Sequence, residues 1–251
     1  MILVIAEKPS LGRDIADALP GQVTERNNRF IRKGDYAVTW VFGHMLSLKE
    51  PEDYDMKYKK WSLDDLPIYF DSWELKMGED SNSNRNYETK AQRVGLIGEL
   101  LEESESVIHA GDPDEEGQLL IDEILTYTGT KKPVKRVLIN DLNTEKARQA
   151  LTQLRDNSEF YGLSQSALAR SVGDQLFGFN MTRGYTLAAR KKGGKDVLSV
   201  GRVQTPILGL IVHRYEAFKN HAAAFYYAVS AGFMINGFDL TRCDGGEIPA
   251  R

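Results

Sequence analysis

Two short apolar runs, each followed at once by a charged turn and a helical pattern, constrain this chain more than anything else in it. Ile2 to Ala6 and "SVIHA" (Ser106 to Ala110) are continuous rather than alternating in hydrophobicity, as expected of strands buried on both faces. After the first comes "KPSLGRDIADAL", with Ser10 placed as an N-cap and Leu11, Ile15, Ala16 and Leu19 on one helical face. After the second comes "GDPDEEGQLLIDEIL", with Leu120, Ile121, Ile124 and Leu125 on the apolar side of a helix. "VKRVLI" and "NTEKARQALTQL", the latter capped by Asn143 or Thr144, continue the alternation. Strands alternating with helices predict an α/β fold with a parallel sheet flanked by helices.

The texture changes after Asn157. A long helical region runs through Arg190, the basic turn "RKKGGKD" follows, and a second helix is expected from about Arg202 to Phe218. We therefore expect an α/β domain over 1–155, a mainly α-helical module over 156–222, and the start of a β segment over 223–251. "AFYYAVSAGFMI" reads as a strand with nothing left to pair with. "YAVTWVFGHMLSL" reads as a strand that turns at Gly43. Between it and a helical pattern from about Tyr87 to Glu103, residues Glu50 to Asn86 form an irregular region long enough to be either functional or disordered.

With 251 residues, 41% of them hydrophobic, the chain can bury a proper core. Cys243 is the only cysteine, which excludes internal disulfides and cysteine-rich zinc sites and makes a reducing cytoplasm the expected compartment. The N-terminal apolar run is too short for a signal peptide or a membrane span, so no membrane partner is expected. A net charge of −4 argues weakly against a nucleic-acid partner, but charge is unevenly placed. Between Tyr161 and Asn220 nine cations face three anions, giving +6 there and −10 elsewhere. That excess fits either a solvated basic face or a polyanion site.

Asp112, Asp114, Glu115 and Glu116 crowd the turn after "SVIHA". One reading is structural, because carboxylates favour the N-terminal end of a helix dipole. The other is a metal site. In an extended segment Asp112 and Asp114 would face one point, with Pro113 between them and Glu116 on the first helical turn. Such hard oxygens suit magnesium. Glu7 ends the first strand, where open parallel sheets collect ligands, and if the two strands are neighbours it faces the aspartates across a crevice. Crowding would raise carboxylate proton affinity, which suits Glu7 to proton transfer.

"LVIAEKPSLGRDIADAL" together with "HAGDPDEEGQLLIDEIL" closely resembles the toprim domain of type IA DNA topoisomerases, particularly the topoisomerase III branch. "VTWVFGHML", "YKKWSLDDLPI", "SALAR", "FGFNMTRGYT" and "LSVGRVQTPILGLIV" match in the same order, extending the resemblance over residues 1 to about 220. It implies a Rossmann-like toprim sheet and a magnesium-dependent enzyme that breaks, passes and rejoins single DNA strands. Glu7 and Lys8 would be catalytic, with Glu7 assisting proton transfer and Lys8 contacting the phosphate. Asp112, Asp114 and Glu116, joined by Glu7, would hold Mg2+. Arg183 and the segment Ser199, Val200, Gly201, Arg202, Val203, Gln204 and Thr205, together with Lys8, would contact DNA, preferentially single-stranded. Glu115 stands where the family often has arginine and is expected to be solvated.

The chain departs from that pattern in two places. "SVGDQL" stands where the family usually reads A-R-A-D-W-L, so Val172 replaces an arginine and Gln175 a tryptophan, while Asp174 remains. None of the eleven tyrosines lies in the short Tyr-Pro-Arg context of the family's nucleophile. The resemblance fades in "NGFDLTRCDGGEIPAR". The chain itself is therefore expected to bind metal and single-stranded DNA without covalent cleavage. No G-x-x-x-x-G-K-S/T sequence is present, and no ATP site is expected. A helicase partner is not specified by the sequence. Alternatives are a toprim nuclease or primase-like enzyme, or a non-catalytic DNA-binding remnant.

Overall fold

The computed structural model describes residues 1–80, 88–140 and 143–222 in full, and of the remainder only the backbone of four short strands. The chain falls into two compact units, Met1–Gly201 and Arg202–Arg251.

The first unit is built on β1 (Ile2–Ala6), which lies at the centre of a seven-stranded sheet. In chain order it is followed by α1 (Pro9–Ala18), β2 (Val23–Arg26), β3 (Phe30–Lys33), β4 (Tyr36–Trp40), β5 (Leu46–Leu48), α2 (Pro51–Tyr54), β6 (Leu75–Met77), α3 (Lys90–Glu103), β7 (Ser106–Ala110), α4 (Glu115–Tyr127), β8 (Val134–Arg136), α5 (Thr144–Leu151), β9 (Arg155–Asp156) and α6 (Tyr161–Lys191). The sheet order is β2-β3-β4-β1-β7-β8-β9. Strands β4, β1, β7 and β8 are mutually parallel, as the alternating pattern predicts, and β2, β3 and β9 add antiparallel edges.

Alternate residues of β1 face opposite ways, so one strand feeds two cores. Leu3 and Ile5 pack with Val94, Ile97 and Leu100 of α3 and Ile121 and Ile124 of α4. Val4 and Ala6 pack with Leu11 and Ile15 of α1 and Ala147 of α5. With no side left for solvent, the strand has to be apolar throughout.

Helix starts follow local chemistry. Pro9 occupies the first turn of α1 and Lys8, not Ser10, is the N-cap residue, because a proline already lacks the amide that a first-turn position leaves unbonded. Thr89 and Gln92 form a capping box on α3, and Asn143 caps α5. The expected turn at Gly43 is present, with φ of 79°. The irregular region is held by a short sheet of β5 with β6 and by an aromatic cluster in which Tyr54 stacks on Phe70 at 4.1 Å and Phe70 meets Trp73 edge-on. Its residues 81–86, and Tyr87 at the expected start of the next helix, lie outside the described ones.

In the second unit, α7 (Gln204–Lys219) is apolar on most sides, with Ile207, Leu210, Ile211 and Phe218 exposed. Beyond it, Tyr226–Tyr227 pairs with Ile248–Pro249 and Phe233–Ile235 with Phe238–Leu240. "AFYYAVSAGFMI" therefore supplies two short strands with partners, rather than one strand without any. Among the described residues, no helix is long and apolar enough to cross a membrane.

Candidate active site

Ala6 pairs with Ala110 in the parallel register of β1 and β7, so Glu7 and Gly111 leave the sheet side by side. The crossover from β1 runs to β4 on one side, and β7 lies on the other. The carboxyl end of β1 is thus a switch point, the place where open α/β sheets form a crevice.

In that crevice Glu7 Oε2 accepts the backbone N–H of Asp112 at 2.7 Å. Burial, the largest influence, raises the proton affinity of Glu7; the Asp112 N–H opposes this and the Asp112 carboxylate adds to it. Lys8 Nζ donates to Asp112 Oδ2 at 2.7 Å, and that bond is the main reason the Lys8 ammonium is held above its ordinary pKa.

The acidic turn is not an extended run. The Asp114 N–H donates to the Asp112 carbonyl at 2.8 Å, a tight turn about Pro113. Asp114 is the N-cap of α4, with Oδ1 accepting the Gly117 N–H at 2.7 Å. Glu116 lies on the first turn of α4, where Oε1 accepts from Arg170 of α6 at 3.0 Å and Oε2 stands 3.8 Å from His44 Nε2. Glu115 also pairs with Arg170, so it is an ion-pair partner and not merely solvated.

Chemically, these hard carboxylate oxygens are donors of the kind that hard divalent cations take. The hydrogen bonds of Glu7, Asp112 and Asp114 each engage one oxygen, leaving the second oxygen of each group to be directed elsewhere. As placed, however, no three carboxylate, imidazole or thiol groups among the described residues stand together as one ion's ligands. Lys8 and Arg170 supply the neutralising charge at these acids.

A buried polar layer supports the turn from behind. Arg136, 1% exposed, donates to the carbonyls of Gly111 (2.8 Å) and Asp112 (2.7 Å) and to Gln118 Oε1 (2.8 Å). Burial pulls its pKa down to about 10. Gln118 in turn donates to Asp122 and Asn157. His109 is fully buried against the Gln118 carbonyl at 3.0 Å, and burial followed by the charge of Arg136 lowers its pKa to about 4, so it is neutral at physiological pH. Sequence reasoning missed Arg136, Gln118 and His109. An arginine inside one strand segment and a histidine inside the apolar "SVIHA" were their visible signals.

The expected DNA-contacting residues fall in both units, Lys8, Arg183 and Ser199 to Gly201 in the first and Arg202 to Thr205 in the second. Arg183 is 5% exposed, donates to the Tyr58 carbonyl at 2.8 Å and to Glu52 at 3.0 Å, and lies 5.2 Å from the Trp61 ring centre. It anchors the irregular region to α6 instead of facing solvent. Val200 N–H donates to Thr182 Oγ1 and Leu198 N–H to Thr186 Oγ1, both at 2.9 Å, which lays the segment leading to Ser199 and Gly201 along α6. Arg202, Val203, Gln204 and Thr205 belong to the second unit, where Gln204 and Thr205 open α7. Of the two departures, Gln175 has a local role, donating to the Lys49 carbonyl at 3.0 Å. Nothing in the structure explains Val172.

The Toprim domain model matches residues 2–142, the stretch that contains the sheet and every carboxylate of the site. The chain belongs to the Toprim family. A DNA topoisomerase model matches residues 158–245. Relatives of this Toprim chain include DNA topoisomerase 3 of Vibrio cholerae, 47% identical over 91% of the chain and 35% of the relative. That of Salmonella typhimurium is 46% identical over 92% and 35%, and that of Staphylococcus epidermidis 34% over 95% and 31%. The chain thus spans about a third of the length of the relatives it matches. Its fold resembles that of full-length topoisomerase I from Thermotoga maritima, with a TM-score of 0.53 at 19% identity, covering 90% of this chain and 32% of that one.

Proposed function

We propose that this chain is the N-terminal part of a topoisomerase 3-type enzyme that breaks, passes and rejoins one DNA strand, and that it supplies the acidic metal site and part of a single-stranded DNA groove. The observation that carries this reading is the meeting of Glu7, at the end of β1, with the Asp112 turn, at the end of β7. Asp112, Asp114 and Glu116, with Glu7, would hold Mg2+, which supplies positive charge at the phosphate. Glu7, whose proton affinity burial raises, holds or releases a proton at the crevice. Lys8, released from Asp112, would contact a phosphate oxygen as a compact point charge. Ser199 to Thr205 would contact the DNA backbone without reading sequence. Within this reading the toprim domain spans 1–155 and the DNA-binding module 156–222, the protein is cytoplasmic, and no ATP is used.

The tyrosine nucleophile has no matching context among the tyrosines of this chain, so it is expected to bind metal and DNA without cleaving. Calorimetric titration with Mg2+ tests the site: Asp112→Asn with Asp114→Asn abolishes binding if the reading holds, and equal affinity in the variant overturns it. Incubation with Mg2+ and negatively supercoiled plasmid tests the second half, since relaxation by the purified chain would contradict it.

A further inference from the structure

We propose that the C-terminal end of α6 and the loop at Trp61 form a second, sequence-independent contact surface for a nucleic-acid backbone, away from the carboxylates. The inference rests on the reading of the chain as DNA-binding. Trp61 joins the two segments, with the guanidinium of Arg183 5.2 Å and that of Arg190 5.9 Å from its ring centre. Lys59 and Lys60 lead into Trp61, while Lys191, Lys192 and Lys195 follow Arg190 around a turn in which Gly193 has φ of 91°. All five lysines and Arg190 are exposed.

Two features separate this cluster from an ordinary solvated face. Elsewhere many cations are neutralised, Arg29 by Glu88, Arg32 by Glu103, Arg155 by Glu159 and Arg170 by Glu115, and exposed cations without an ion pair, such as Arg13 on α1, Lys131 after α4 and Lys146 on α5, are scattered over separate elements. Lys59, Lys60, Lys191, Lys192 and Lys195 make no ion pair with another described residue. The helix dipole of α6 accounts for one or two cations in its last turn, Arg190 and Lys191, but not for the lysines of a loop more than a hundred residues earlier in sequence. Positive charge drawn from two distant segments and locked together by one indole fits a partner with closely repeated negative charge.

Its position gives the surface a role. Arg170, at the carboxylate site, and Arg190 lie on the same helix, and at 1.5 Å per residue they are roughly 30 Å apart. At the 3.4 Å per nucleotide of a stacked strand, that distance corresponds to at most about nine nucleotides, and to fewer in an extended single strand. The surface would hold the flank of a strand whose other part lies at the carboxylates.

Binding of a labelled 20-nucleotide single strand, measured by anisotropy from 50 to 200 mM salt, tests this. In Lys59→Gln/Lys60→Gln/Lys191→Gln/Lys192→Gln the slope of log K against log salt is expected to fall by about 2 to 3, with affinity at least about tenfold weaker at low salt. Lys131→Gln/Lys146→Gln, which removes charge elsewhere, is expected to keep the wild-type slope. A correctly folded quadruple variant with the wild-type slope overturns this surface and leaves DNA binding by the chain intact. Absence of salt-dependent binding by the wild-type chain overturns both.

Discussion

Glu7 and Asp112 are tied by side chain to backbone: Oε2 of the strand-end glutamate accepts the N–H of the aspartate 105 residues later at 2.7 Å. One glutamate thereby both positions the acidic turn and stands beside it as a proton-binding group. Glu7→Gln keeps an acceptor for that N–H and Glu7→Ala does not. The alanine variant is expected to be about 1–2 kcal/mol less stable than the glutamine variant in urea unfolding, the cost of a part-buried donor without a partner. Equal stability would show that the bond does not hold the turn.

Gly117 lies inside α4, where alanine would ordinarily gain up to about 1 kcal/mol. A Cβ built there falls 2.4 Å from the Asp112 carbonyl oxygen and 2.6 Å from Glu7 Oε2, and one built on Gly111 falls 2.1 Å from the Gly117 carbonyl. The close approach reverses the usual sign, because the neighbours include backbone that cannot step aside. Gly117→Ala is expected to lose roughly 2 kcal/mol or more. Thermal unfolding beside Gly95→Ala, at an open helical position, provides the comparison.

His109 is neutral in the folded chain with a pKa of about 4, against 6.5 for a free imidazole. Between those values the unfolded chain binds more protons than the folded one, so stability is present above pH 6.5 and is lost as pH falls toward 4. The loss is on the order of 3 kcal/mol if the whole shift is expressed. Urea midpoints from pH 7 to pH 4.5 should drop more steeply for the wild type than for His109→Gln. Parallel profiles would exclude the histidine as the source.

The parallel core was legible because burial on both faces leaves no polar position in β1, so Ile2 to Ala6 can hardly be anything but a central strand. The β2–β3 hairpin was not, since "VTER" is wholly exposed and follows neither period. The carboxylates could be located but not oriented. Spacing two apart implies a shared face only in extended chain, and the hydrogen bond from Asp114 N to Asp112 O bends it. The surroundings of Arg183 were hidden for a related reason. The resemblance names it as a DNA contact, while its neutralising partner Glu52 and the Trp61 ring lie more than a hundred residues away and only the fold brings them near.

For Arg183 the expected phenotype is therefore loss of stability. Arg183→Met leaves Glu52 and the Tyr58 carbonyl without their donor and removes the cation from the Trp61 face, for about 2–4 kcal/mol in total. Oligonucleotide affinity of the folded fraction should stay within a factor of two of wild type. A variant of normal stability with strongly weakened DNA binding would return Arg183 to the DNA-contacting set.

Arg170 bridges Glu115 and Glu116 from α6, with NH1 3.0 Å from Glu116 Oε1, and a cation recruited to Glu116 must compete with it. The pair is nearly half exposed on both sides, which limits its strength to about 1 kcal/mol or less. Arg170→Gln is accordingly expected to strengthen Mg2+ binding, by no more than about fivefold. Glu115→Gln loosens the same arginine without removing a ligand, so it too should leave Mg2+ affinity equal or slightly raised, whereas Glu116→Gln should lower it at least tenfold. Calorimetry on the three variants separates these roles. Weaker Mg2+ binding in Arg170→Gln would mean that the arginine orders Glu116 for the ion rather than competing with it.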